Sequence, residues 1–219
     1  MPQSTSQIHA RRVAGAKILF IIYDVLVLGF SNRFAWKCPT KRLLELYDAH
    51  VSAHHLEAGT GTGYFIDHCR FPAGNSSLVL LDLNAYTLPE AARRVMRYRP
   101  AAFTRNILQP LNLAGRKFDS VGFNYVLHCL PGTMEDKSAV FENLRQVMNP
   151  GAVLFGSTTL YAGIQKNLLA RAFLTAYNAM GIFHNRHDSL KELQKVLARH
   201  FSETRVEAVG CSGLFVCKA

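Results

Sequence analysis

The chain has 219 residues, 49% of them hydrophobic, which suits one domain with a full core and excludes a polar disordered chain. Lys and Arg number 25 against 15 Asp and Glu, a formal charge of +10, so an anionic partner such as nucleic acid has to be weighed. The cysteines Cys38, Cys69, Cys129, Cys211 and Cys217 form no C-x-x-C pair, which argues against a zinc knuckle or redox dithiol and for reduced thiols in a cytoplasmic protein.

Residues 1–10 are expected to be loose. Residues 18–30 read ILFIIYDVLVLGF and follow Arg11, Arg12 and Lys17, which imitates a signal peptide. Asp24 interrupts that run, no small-residue cleavage site follows directly, and the run is shorter than the roughly 20 residues that cross a bilayer. The run is read as an N-terminal helix packed on the domain, with contact to a membrane surface as the lesser alternative. Residues 14–50 are predicted to hold two helices separated near 31–39, so that 1–50 forms a helical cap. Thr40 is the candidate cap of the second helix, whose Leu43, Leu44 and Tyr47 share a face.

The next segment, His54-His55-Leu56-Glu57-Ala58-Gly59-Thr60-Gly61-Thr62-Gly63, places an acid at the end of a short strand, then three alternate glycines, then a helix start. Such a turn lets a ligand lie against bare backbone, beside the free N–H groups of a helix N-terminus. The dinucleotide fingerprint G-x-G-x-x-G fails in both registers, because Tyr64 and Ile66 stand where a small residue is needed. Glu57 would also repel a pyrophosphate, but not a cationic or amine-bearing ligand.

Residues 77–82, SLVLLD, read as a buried parallel strand closed by Asp82, a carboxylate able to accept both hydroxyls of a ribose. The basic run Arg93, Arg94, Arg97 and Arg99 lies near a predicted helix end, where cations complement the dipole. Residues 100–107 are read as a third strand and its loop, and 118–130 as a fourth strand followed by His128. Residues 144–151 form a helix end and a Pro-Gly turn, and 152–158 the fifth strand. Residues 163–180 and 188–197 are predicted helices. Residues 201–209 and 212–218 are predicted to form an antiparallel hairpin.

The acidic E-x-G-x-G-x-G run at 57–63, the strand-end Asp82, the F-D-x-V…L-H-x-L pattern of 118–130 and the turn at 149–151 together resemble the class I S-adenosylmethionine (SAM) methyltransferases. The resemblance covers roughly residues 54–219. It is nearest to the broad group that includes the ubiquinone- and menaquinone-biosynthesis enzymes and many secondary-metabolite enzymes. It implies an α/β, Rossmann-like sheet of seven strands, mostly parallel with an antiparallel last strand, plus N-terminal helices and a small lid. The SAM-binding methyltransferase domain would span 51–219. SAM, leaving as S-adenosylhomocysteine, would be held by Glu57, Gly59, Thr60, Gly61 and Gly63, by Asp82 and Leu83, by Asn106 and Ile107 beside the adenine, and by Asn124 and Tyr125 beside the methionine part. The family often has Asp where Asn106 stands, and an amide oxygen can still accept the adenine amine's hydrogen bond.

The additions at 1–50 and about 159–188 would cover the cofactor and shape the acceptor pocket, with Tyr23, Phe30, Trp36, Thr159 and Tyr161 as candidate lining. His128, His184 and His187 are the candidate catalytic bases. No metal is expected, since His184, His187 and Asp188 lack the i, i+4 spacing of a helical site. The function implied is methyl transfer to a small-molecule metabolite by a monomer or homodimer. One alternative is an RNA methyltransferase, disfavoured because no [DN]-P-P-[YFW] motif stands at 124–127. The other is a SAM-retaining cyclase or partner subunit.

Overall fold

The computed structural model describes Ile22, residues 24–72 and residues 74–219. The reading of residues 1–10 as loose falls outside them, as does the pocket candidate Tyr23. Seven strands form one sheet: β1 (His54–Ala58), β2 (Ser77–Asp82), β3 (Ala101–Thr104), β4 (Phe118–Asn124), β5 (Met148–Thr159), β6 (Glu203–Val209) and β7 (Ser212–Lys218), in the order β3-β2-β1-β4-β5-β7-β6. The first five are parallel, and β7 enters antiparallel between β5 and β6. Chain direction across the sheet reverses between β1 and β4. In open α/β sheets such a switch point leaves a crevice beyond the strands' carboxyl ends, where ligands bind.

Helices pack both faces because the central strands are apolar throughout; β2 buries Leu78, Val79, Leu80 and Leu81. One face carries Phe118, Phe123, Phe141, Leu144, Leu193 and Leu197, the other Tyr47, Ile66, Leu80, Leu88 and Phe155. A third apolar cluster joins Trp36, Leu43, Leu174, Phe183 and Leu214. It fastens the N-terminal elements and the segment after β5 over the carboxyl ends of the strands.

Several boundaries differ from the sequence reading. The first N-terminal element is a π-helix, Asp24–Ala35, and the second an α-helix, Thr40–His50. Thr40 does not cap its helix: its hydroxyl donates to the Leu28 carbonyl and accepts from Asn32 Nδ2, tying the two helices together. β5 begins at Met148 rather than Ala152, because Phe118 pairs with Met148 before a bulge shifts the register to Ser120 with Val153. The helix expected over 163–180 spans Leu168–Ala179 and is capped by the Asn167 side chain.

Candidate active site

The glycine turn leaves β1 and enters the short helix Tyr64–His68. Its three glycines serve different ends. A Cβ on Gly59 would strike Val126 at 2.0 Å, and one on Gly63 would press on the Ala91 carbonyl oxygen at 3.3 Å. Both positions therefore answer to packing within the protein. Gly61 has φ +54° and nothing within 4 Å of its would-be Cβ, so it alone presents bare backbone to open space.

Asp82 lies across from it at the end of β2. Its Oδ2 accepts from the Gly61 N–H at 3.1 Å and its Oδ1 from the Asn84 N–H at 2.9 Å. A carboxylate has about four acceptor sites, so about two stay free beside the turn. Leu83 is exposed next to it. On the far side, Asn106 is half-buried, and its Oδ1 accepts from Leu108 N–H at 3.0 Å. Ile107 is buried in the main core cluster. Thr60 is buried, with its hydroxyl donating to the Leu81 carbonyl at 3.3 Å.

Glu57 does not face the crevice either. It is 3% exposed, with Oε1 accepting from the Tyr47 hydroxyl at 2.6 Å and Oε2 3.1 Å from His55 Nε2. His55 Nδ1 in turn meets Ser120 Oγ at 2.7 Å. The acid thus binds the helix Thr40–His50 to β1 and β4. Gly122 on β4 makes room for it, since a Cβ there would come within 2.4 Å of Glu57 Oε2. Burial, then the neighbouring Glu57 carboxylate, pushes the Tyr47 hydroxyl well above its usual pKa.

Asp24, read from sequence as an interruption of an apolar run, closes the turn from above. Its Oδ1 accepts from Thr62 Oγ1 at 2.7 Å, and its Oδ2 pairs with Arg94 at 2.6 Å. The guanidinium continues to Asp67 at 2.9 Å. The π-helix is in this way fixed to the glycine turn.

At the end of β4, Asn124 Oδ1 accepts from Ser157 Oγ, while its Nδ2 is a buried donor with no partner among the described residues. Tyr125 follows in the left-handed region, φ 56°, and its hydroxyl meets Ser212 Oγ at 3.2 Å. A non-glycine residue held there is uncommon and turns the chain sharply out of the strand. The open glycine backbone and half-used carboxylate stand at the carboxyl ends of β1 and β2, and the orphaned donor at that of β4, which also pairs with β1. This donor set fits the nucleoside and amino-acid ends of the ligand that the sequence leads one to expect.

Adjoining this crevice is a cleft of about 260 Å³ lined by Trp36, Tyr125, His128, Thr159, Tyr177 and Phe183, with Val27 and Ser31 from the π-helix. Of the pocket candidates, Trp36 and Thr159 are there. Phe30 points outward beside Phe34, and Tyr161 lies under Lys166 Nζ at 4.2 Å. Neither lines the cleft. Tyr177, Ile182 and Phe183 were missed because they come from a helix end with no motif.

His128 sits on a single 3-10 turn after β4, its ring 4.3 Å from that of Phe183. Its Nδ1 accepts from the Thr159 backbone N–H at 3.2 Å. That nitrogen is therefore unprotonated, and neutral imidazole carries its proton on Nε2. Burial, with help from the Lys137 charge, lowers its pKa to about 3. With Nδ1 already engaged and the imidazolium disfavoured, this geometry argues against the base role that its position after the fourth strand suggested. His184 and His187 are exposed and do not line the cleft. Asp188, their neighbour, is buried against Lys137. No cluster of metal-ligating side chains occurs among the described residues.

The buried imidazole makes stability pH-dependent. An unburied histidine protonates near 6.5 and His128 only near 3, so between these values the unfolded chain binds a proton that the folded chain refuses. Stability is expected to fall as pH drops through that window, by up to about 1.4 kcal/mol per pH unit. Denaturant unfolding across the window should show a flatter acid limb for His128→Gln than for wild type; equal slopes would contradict the assignment.

Three comparisons bear on this site. A family model described as a methyltransferase domain matches residues 56–154, from β1 into β5. The chain is 36% identical to demethylluteothin O-methyltransferase of Streptomyces thioluteus, over 89% of this chain and 84% of that one. It is 37% identical to the methyltransferase aurB of Calcarisporium arbuscula, over 88% and 90%. Among solved structures, the N-methyltransferase NodS of Bradyrhizobium japonicum, in complex with S-adenosylhomocysteine, superposes with TM-score 0.58 at 14% identity, over 93% of this chain and 97% of that one. That likeness shows the fold.

Proposed function

The chain belongs to the class I SAM-dependent methyltransferases, and from that premise we propose that it methylates an oxygen of a small, mainly apolar acceptor seated in the cleft of Trp36, Tyr125, His128, Tyr177 and Phe183. The observation that carries this reading is the cleft itself: half of its lining residues aromatic, about 260 Å³, and reaching Tyr125 just after the end of β4. That size and lining suit a compact ring system rather than a polynucleotide. The +10 charge had raised RNA as an alternative acceptor; similarity along nearly the whole chain to a named metabolite O-methyltransferase favours the small molecule instead.

Bound SAM supplies an electrophilic methyl group on a sulfonium and departs as S-adenosylhomocysteine. On this reading Gly61 gives its backbone to the ligand's methionine part, Asp82 takes the ribose hydroxyls, Leu83 and Asn106 flank the adenine, and Asn124 Nδ2 finds its missing acceptor on the ligand. The π-helix and residues 159–188 act as the cover, sealing the cleft from water through Trp36 and Phe183. His128 directs its Nε2–H at the acceptor's oxygen and holds it in line. It removes no proton, so the fitting acceptor is acidic enough to arrive as an enolate or phenolate, whose charge strengthens that hydrogen bond.

The test is methyl-labelled SAM offered with planar enols and phenols, with amines of matching shape, and with RNA. Label on oxygen of the apolar hydroxylated acceptors is the expected outcome. Label confined to amines or to RNA would overturn the reading.

A further inference from the structure

The π-helix Asp24–Ala35 has its polarity reversed for a surface element. Its i to i+5 hydrogen bonding places residues four and five apart on one face. The inward face carries Leu28, Ser31, Asn32 and Ala35, all buried. Of the polar pair there, Ser31 Oγ donates to the Leu26 carbonyl at 2.8 Å and Asn32 Nδ2 to Thr40 Oγ1 at 2.9 Å, while Asn32 Oδ1 has no partner among the described residues. The outward face carries Val25, Leu26, Phe30 and Phe34, between 46% and 61% exposed, and Ile22 just before the helix is 47% exposed. A surface helix ordinarily does the opposite. Apolar ridges of this kind mark a surface that something covers.

The charge of this stretch of sequence points to the cover. Residues 1–39 contain Arg11, Arg12, Lys17, Arg33 and Lys37 against a single carboxylate, Asp24. That carboxylate is spent on Arg94 and Thr62. Arg33 stands 5.6 Å from the Phe34 ring, beside the ridge. An apolar face bordered by Arg33, in a stretch of sequence rich in cations and with no free acid, fits the boundary between the headgroups and acyl chains of an anionic membrane. A second copy fits poorly, since two-fold pairing of this ridge would bring two like-charged segments together. No helix among the described residues is long and apolar enough to cross a membrane, so the contact lies in the plane of the surface.

We propose that the outward face of the π-helix docks on an anionic lipid surface. The same helix lends Val27 and Ser31 to the cleft, so docking sets the cleft beside the lipid. The proposal stands whatever the acceptor is.

Flotation of the full chain with vesicles tests it. Vesicles of phosphatidylcholine mixed with phosphatidylserine should carry the protein up the gradient, and phosphatidylcholine alone should carry far less. Added salt should weaken the binding. Val25→Glu/Leu26→Glu should lower the bound fraction at least about tenfold, and Arg33→Glu should lower it less, with each variant's fold checked by circular dichroism. No flotation with anionic vesicles would overturn the proposal. So would flotation unchanged in the double variant. A dimer in sedimentation equilibrium that the double variant dissociates, without flotation of the wild type, would assign the ridge to a second copy instead.

Discussion

Asp82→Ala is expected to lower affinity for S-adenosylhomocysteine at least about 100-fold while leaving the chain folded. The carboxylate spends about half of its acceptor capacity on the Gly61 and Asn84 N–H groups, and the rest is left at the carboxyl end of β2, for the ribose on the proposed reading. Two hydrogen bonds from ribose hydroxyls to a charged oxygen contribute about 1.5–3 kcal/mol each, and losing both accounts for two orders of magnitude or more. The turn loosens as well, since Gly61 loses its anchor. Stability should suffer little, because Asp82 is only half-buried and β2 keeps its apolar residues. Asp82→Asn should fall between wild type and alanine. Gly61→Val should act differently: it meets no protein atom but fills the open space and strains a positive φ, so binding is lost with a stability cost of about 1–2 kcal/mol. Calorimetric titration reads both variants. An affinity within a few-fold of wild type in folded Asp82→Ala would remove Asp82 from the site.

Lys137→Met is expected to cost about 3–5 kcal/mol of stability, the largest effect anticipated for one substitution. Lys137 is fully buried, and its ammonium donates to Asp188 Oδ2 at 2.7 Å and to the His184 carbonyl at 2.8 Å. Burial pushes the Asp188 carboxyl up, and the lysine beside it opposes that shift. Without the lysine a buried carboxylate is left uncompensated. The damage would reach the cleft, because the Asp188 carbonyl accepts from Tyr161 and Ala162, and the His128 carbonyl from His184 N–H. These bonds hold the covering segment against the sheet. A methionine–leucine pair at 137 and 188 should recover most of the loss, since a packed apolar pair needs no desolvation of charge. Thermal and denaturant unfolding would check both; a loss under about 1 kcal/mol in Lys137→Met would show that the pair is not what secures the segment.

The sheet was readable from local pattern because each strand carries its own signal. The apolar run closed by Asp82 marks β2, and the Gly210 turn between two alternating stretches marks the β6–β7 hairpin, with β7 falling on Ser212–Lys218 as expected. The glycine turn was equally plain, but not the division of labour within it. Gly59 and Gly63 answer to Val126 and Ala91, which lie far along the chain. The same holds for Glu57, whose partners Tyr47 and His55 and whose space at Gly122 exist only after folding. Asp24 with Arg94, and Lys137 with Asp188, are long-range ion pairs that no spacing rule announces. The turn at 149–151 was misjudged as lying outside the strand because a bulge, invisible in the pattern, carries pairing back to Met148. His128 was visible as a residue beyond the fourth strand, but its tautomer depends on one backbone N–H from β5.

The most direct measurement is calorimetric titration of the wild-type chain with SAM and S-adenosylhomocysteine, with NAD as the comparison. The proposed site at Gly61, Asp82 and Asn124 predicts micromolar binding of both sulfur ligands at one site per chain and none of NAD, since Tyr64 and Ile66 break the dinucleotide pattern. Folded protein that binds neither sulfur ligand, or that takes NAD instead, would contradict the assignment of this crevice.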